Sequence, residues 1–143
     1  MKNKDIEFYY KYVGMNLEQF ALFEEKFHSE SSFEMNSEMQ FSYDIAKRIL
    51  SCKISVVLSQ EKEIFLKAIL DSHFLIKEES VNQLIQDNEL IIPIDLLIQF
   101  ASLNYGSLRG VIYAKSINTK LNSVIIPPVF LQDVIKKPLH VKL

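Results

Sequence analysis

The stretch from residue 33 to residue 77, FEMNSEMQFSYDIAKRILSCKISVVLSQEKEIFLKAILDSHFLIK, decides the fold. Phe33, Met35, Met39, Phe41, Tyr43 and Ile45 share one parity, with Glu34, Asn36, Glu38, Gln40, Ser42 and Asp44 on the other; only Ser37 interrupts the apolar row. Leu50, Cys52, Ile54, Val56 and Leu58 then alternate with Ser51, Lys53, Ser55 and Ser59. A third row follows, with Ile64, Leu66, Ala68 and Leu70 against Lys67, Asp71 and His73; Phe65 and Ile69 fall on the polar side. Successive side chains of a strand point to opposite faces, so each alternation predicts a strand with one buried and one wetter face. The links near Ala46-Lys47-Arg48 and Gln60-Glu61-Lys62 are short and polar, which predicts an antiparallel meander. One face of that sheet needs a cover from the rest of the chain.

Upstream, residues 5–13 are rich in strand formers, with Ile6, Phe8, Tyr10 and Tyr12 on one parity and Tyr9 and Val13 on the other. The reading is a first strand ended by Gly14. In residues 15–32, Phe20, Phe23 and Phe27 recur at intervals of three and four among Glu18, Glu24, Glu25 and Lys26. That spacing predicts a helical turn or a crossover with its aromatics on one side, and a connection this long is often functional.

Downstream, Glu78 to Glu89 reads as a connecting loop with a helical turn at Val81, Leu84 and Ile85. Leu90-Ile-Ile-Pro93 is an extended lead into a helix that Pro93 and Asp95 favour at its start. Ile94, Leu97, Ile98, Ala101, Leu108 and Ile112 hold helical spacing, overlain by Ser102, Gly106, Gly110 and Ala114 at every fourth residue. Two interior glycines cost a helix about 1 kcal/mol each relative to alanine. Close packing on the sheet or on a second copy of the helix would offset that; otherwise Gly106 divides the segment into two helices. Val124-Ile-Ile-Pro-Pro128 is extended and excluded from a sheet interior by its prolines. Val129 to Lys136 reads as a short helix, and Pro138 to Leu143 as a frayed stub.

The 143 residues suffice for one domain, 48% of them apolar, with a formal net charge of -2. Nucleic-acid binding, which draws its affinity from phosphate neutralisation, is not expected. No run approaches the roughly 18 apolar residues of a membrane span, and the first residues do not resemble a signal segment, so a cytoplasmic location is expected. Cys52, the only cysteine, lies on an apolar parity and reads as a core residue. Gly14, Gly106 and Gly110 form no phosphate loop; His28, His73 and His140 have no paired metal-ligand spacing; Glu24-Glu25 and Glu78-Glu79 are adjacent and read as solvated charge. No catalytic residue, metal or cofactor is expected. Arg109 would hold an anion or pair across a helix or subunit boundary.

The order of strand, long crossover, three-strand meander, loop, proline-led helix, proline-rich return and short helix resembles the SecB family of export chaperones. The resemblance spans about residues 5–135. It rests on Phe33 to Ile76, Leu90-Ile-Ile-Pro93, Ser107-Leu-Arg-Gly-Val-Ile-Tyr-Ala-Lys115 with Asn118 to Pro128, and Val124-Ile-Ile-Pro-Pro-Val129. It implies an α+β fold, a four-stranded antiparallel sheet with helices packed on one face. It implies dimers through the first strand and long helix, a dimer of dimers, and holding of unfolded, export-bound chains in an apolar groove without ATP. Phe20, Phe23, Phe27, Phe33 and Phe74 are the groove candidates, or else caps of the monomer core; Ser102, Gly106, Arg109, Gly110 and Ala114 are the oligomer-interface candidates.

In such proteins an acidic sheet surface and an acidic C-terminal tail meet the SecA motor. Glu34, Glu38 and Asp44 are this chain's candidates for that surface, or else an ordinary solvated face. The acidic tail is not expected here, since the last residues carry Lys136-Lys137 and Lys142 in its place. The alternative is a SecB-like adaptor dedicated to one partner, such as a toxin–antitoxin pair, without a general export role.

Overall fold

A computed structural model describes residues 7–143, so Asp5 and Ile6 of the expected first strand lie outside the described residues. The three alternations form β2 (Glu34–Asp44), β3 (Ile49–Gln60) and β4 (Glu63–Ile76), joined as an antiparallel meander. Glu61 and Lys62, the two residues between β3 and β4, both have positive φ, the geometry that lets a two-residue turn follow the twist of its strands. β1 (Tyr10–Leu22) pairs antiparallel with β4, which gives the sheet order β1-β4-β3-β2. β1 and β2 are therefore its edges.

The first strand is displaced from its expected position. It runs through Gly14 to Leu22, and only a three-residue 3-10 turn, Glu24–Lys26, stands in the expected helical crossover. The register against β4 steps between Tyr12 and Gly14 and again between Leu17 and Gln19, so Val13 and Glu18 are extra residues. Each bulge shifts the parity of the strand by one. Tyr10, Tyr12, Met15, Leu17, Phe20 and Leu22 consequently lie opposite the buried row of β4.

Leu50, Cys52, Ile54, Val56 and Leu58 of β3, with Leu66, Ala68, Leu70, Phe74 and Ile76 of β4, form the sheet side of the core. Over them lies α2 (Ile94–Ser116), one unbroken helix through Gly106 and Gly110. Pro93 caps its start in an extended conformation, and Leu97, Phe100, Ala101, Asn104, Tyr105, Leu108 and Ile112 face the sheet. Asn104 is fully buried, and its Nδ2 donates to the carbonyls of Cys52 at 2.6 Å and Leu70 at 3.2 Å, tying the helix to both central strands.

The expected connecting loop contains α1 (Glu78–Asn82) and a tight hairpin of β5 (Ile85–Gln86) and β6 (Glu89–Ile92), turned by Asp87 and Asn88 with positive φ. The expected frayed stub is β7 (Leu139–Lys142), antiparallel to β6; its Leu139 and Val141 pack on the core while His140 meets Glu89 at 3.0 Å. β5, β6 and β7 make a second, three-stranded sheet. Between α2 and β7 run a 3-10 turn (Lys120–Ser123) and α3, which is confined to Leu131–Val134, shorter than its apolar spacing suggested. Among the described residues no helix is long and apolar enough to cross a membrane.

Candidate functional site

α2 covers β3 and β4 and leaves the inner face of the edge strand β2 half-covered. Met35, Met39, Phe41 and Tyr43 form a partly buried row there. Along the cleft between this row and α2 lies residues 124–137, which begins as an extended strap. Tyr105 stands at the junction: its hydroxyl donates to the carbonyl of Pro127 at 2.5 Å and lies 3.7 Å from Met35 Sδ. Burial pushes its phenol pKa up, so the group remains a donor at neutral pH. Further along, a cavity of about 300 Å³ opens between Met39 and Phe41 on one side and Val134, Ile135, Lys136 and Lys137 on the other. Unbranched thioethers and an aromatic ring make an apolar wall that re-packs at low cost, suited to varied apolar side chains.

The five phenylalanines singled out by the sequence do not form one surface. Phe27 and Phe33 close on Phe65 with ring centroids 5.0 and 6.0 Å apart, and Phe20 and Phe23 lie at the same end of the sheet. Phe74 sits toward the other end of β4, roughly 30 Å of strand from Phe65, fully buried against Tyr10, Tyr12 and Phe100. Phe27 is buried as well. Phe20 is half-buried beneath the Lys115 ammonium, and Phe23 is exposed beneath that of Lys26. Beside Phe27, the loop of His28, Ser29, Glu30 and Ser31 forms a cavity of about 490 Å³ with Lys120. Buried Gln60 fixes that loop: its Oε1 accepts from the His28 amide, and its Nε2 donates to the carbonyls of His28 and Ser31.

Ser102, Gly106, Gly110 and Ala114 all face away from the sheet and are exposed. A Cβ built on Gly106 or Gly110 meets no neighbour within 4 Å, so close approach to the chain's own sheet does not explain either glycine. Ser102 donates its hydroxyl back to the Ile98 carbonyl, which leaves the stripe with little free polarity. Leu103, Tyr113 and Ile117 extend it as exposed apolar surface. Arg109 is half-buried beside a small cavity lined by Tyr113, Val124, Ile125 and Ile126, and it makes no ion pair among the described residues.

Glu34, Glu38 and Asp44 are exposed on the outer face of β2, with Asn36, Gln40 and Ser42 between them. The centre of the same open sheet face carries a polar group that sequence spacing did not bring together. Ser51 Oγ lies 2.8 Å from His73 Nδ1, Asp71 lies 3.9 Å from His73 Nε2, and Lys53 bonds Glu18 at 3.0 Å. Desolvation pushes the Asp71 carboxyl pKa up, against the lowering pull of His73 and Lys53, and one of its oxygens has no hydrogen-bond partner. Asp71 is too far from the ring to orient it by a hydrogen bond, and Ser51 lies on a strand paired on both sides, where its backbone serves the ladder. The arrangement is a packed polar cluster on a sheet face. Cys52 is fully buried, and its thiol pKa is pushed up to about 12, which removes it as a nucleophile. Among the described residues no cluster of three His, Cys, Asp or Glu side chains is arranged to hold a metal ion.

Met35, Met39 and Phe41 were legible as an apolar row. Their place on an edge strand was not, because the order of strands depends on where β1 inserts. Tyr105 carried no signal beyond its helical position. No family model, no curated protein and no solved structure matches the chain.

Proposed function

We propose that the chain is an ATP-independent holdase of the SecB-like kind, which keeps unfolded or export-bound polypeptides from aggregating by holding their apolar segments in the cleft between α2 and β2. The observation that carries the reading is the half-covered row of Met35, Met39, Phe41 and Tyr43 on an edge strand. Such a surface takes many sequences, since apolar contact is non-directional and methionine adapts its shape. Phe33, which immediately precedes β2, extends it toward Phe65 at the loop end of the sheet. The four-stranded antiparallel sheet with one long helix across it is the architecture the resemblance implies, and it supports the same reading.

In this reading the protein works in the cytoplasm as a homo-oligomer, a dimer of dimers. Exposed small and apolar residues on the outer face of α2, together with the open edge of β1 carrying exposed Val13 and Met15, suit contact with further copies. Glu34, Glu38 and Asp44 offer an acidic row to a docking partner, in the manner of the SecA motor. A second reading, an adaptor for one partner such as a toxin–antitoxin pair, is favoured by Lys136 and Lys137 at the mouth of the cavity beside Met39, where they would select for acidic clients.

The test combines native mass in solution with aggregation of a chemically unfolded protein, without ATP. An oligomer that suppresses aggregation at near-stoichiometric ratio supports the holdase. Suppression confined to one co-expressed partner supports the adaptor, and a monomer that suppresses nothing overturns both.

A further inference from the structure

Residues 124–130, Val-Ile-Ile-Pro-Pro-Val-Phe, have the composition of a client: apolar, extended and interrupted by prolines. Among the described residues, 125–129 make no backbone–backbone hydrogen bonds. Ile125 is 76% exposed and Phe130 is 69% exposed. Attachment rests on few points. The backbone is held at Pro127 by Tyr105 alone; Ile126, Leu131 and Ile135 insert side chains into the core, and Val124 and Val129 pack half-buried against it. α3, which follows, is a single turn. Tyr105 brings the strap beside the β2 row, its hydroxyl reaching both the Pro127 carbonyl and Met35 Sδ, and residues 134–137 beyond it line the cavity wall opposite Met39 and Phe41.

We propose that this strap is a built-in occupant of the cleft, an autoinhibitory contact that a client displaces, with the Tyr105–Pro127 hydrogen bond as its latch. The inference rests on the cleft being the client site. A segment with few backbone bonds opens locally at lower cost than the ladders around it. Client affinity then equals the intrinsic affinity reduced by the fraction of molecules with the strap open, and loosening the strap raises that fraction. The prolines limit how well the strap competes, since a chain fixed near φ -65° without an amide donor cannot add a ladder to the free edge of β2.

The test measures binding of a fluorescein-labelled extended peptide rich in Leu and Phe to the full chain and to two variants. Tyr105→Phe keeps the ring and removes the latch; Pro127→Gly leaves the cleft wall intact and frees the strap backbone. Tyr105→Phe should tighten binding about 3- to 10-fold, the scale of one net hydrogen bond. Pro127→Gly should tighten it too, by loosening the strap backbone. Hydrogen exchange at the bonded amides of Val124, Asp133 and Ile135 should speed up when peptide saturates the wild-type chain. A synthetic peptide of residues 124–135 should compete with the labelled one. Equal or weaker binding by both variants, or slower exchange of the strap on peptide binding, overturns the inference while leaving the holdase reading in place. Absence of peptide binding by all three proteins overturns the cleft as a client site, and the strap with it.

Discussion

Asn104 is the side chain that sets where the long helix lies. Its amide reaches the carbonyls of Cys52 and Leu70, one on each central strand, while its own Oδ1 has no partner. Replacing it with leucine removes two donors but also relieves one orphaned acceptor, so the net cost of Asn104→Leu should be about 1–2 kcal/mol, read as a lower urea midpoint at unchanged m. Asn104→Asp should cost more, because a carboxylate would face two carbonyls with nothing to compensate it. Asp71 presents a pH-dependent case on the opposite face. Its carboxyl pKa is raised by burial, so the folded state binds the proton more tightly than the unfolded chain does. Stability is therefore lost as pH rises from the unfolded carboxyl pKa through the folded one, and ionised Asp71 is a net cost at neutral pH. Asp71→Asn, which imitates the protonated form, should raise the thermal midpoint at pH 7. The gain should vanish on acidification below the carboxyl range; a gain independent of pH would place the effect in packing instead.

At the scale of elements, the outer face of α2 separates two energies that usually travel together. Nothing stands within 4 Å of a Cβ at Gly106 or Gly110, so Gly106→Ala and Gly110→Ala should each stabilise an isolated helix face by about 1 kcal/mol. If copies of the chain meet through this stripe, the added methyl groups hold the partner away. Unfolding of the dissociated chain should then shift to higher denaturant while the dissociation constant rises, measured by dilution in analytical ultracentrifugation. A rise in stability with unchanged association would mean that the stripe is not an interface. The meander was readable because β2, β3 and β4 hold one parity over most of their length, with a single register step at Phe65. β1 was not, because bulges at Val13 and Glu18 space its inward residues at two, three, two, three and two. Intervals of two and three, followed by Phe23 and Phe27 at three and four, imitate a helix and hid a strand that runs to Leu22. The tail was illegible for a different reason: Leu139 and Val141 gain their packing only by pairing with β6, a contact no local pattern announces. For the site, the apolar row of β2 could be read, but the cleft depends on α2 stopping short of the sheet edge, and that follows from the tertiary arrangement.

For the molecule as a whole, folding and client holding draw on different parts of one apolar inventory. The interior is set by residues without exposed surface, such as Ile54, Leu70 and Phe100, whose truncation to alanine should cost about 2–5 kcal/mol and lower stability and function together. Met39 and Phe41 are only partly buried and border open space. The double substitution Met39→Ser with Phe41→Ser should therefore change the unfolding midpoint less than Ile54→Ala does, yet weaken peptide binding about 10- to 100-fold, the scale of losing one or two buried apolar side chains from an interface. Apolar contact also sets the salt response. Binding through the cleft should persist at high ionic strength, where screening removes attraction to Lys136 and Lys137. Fluorescence anisotropy across a salt series reads both effects. Binding that collapses with salt and survives the double substitution would move recognition from the methionine row to the lysines, and would favour an acidic partner over unfolded chains in general.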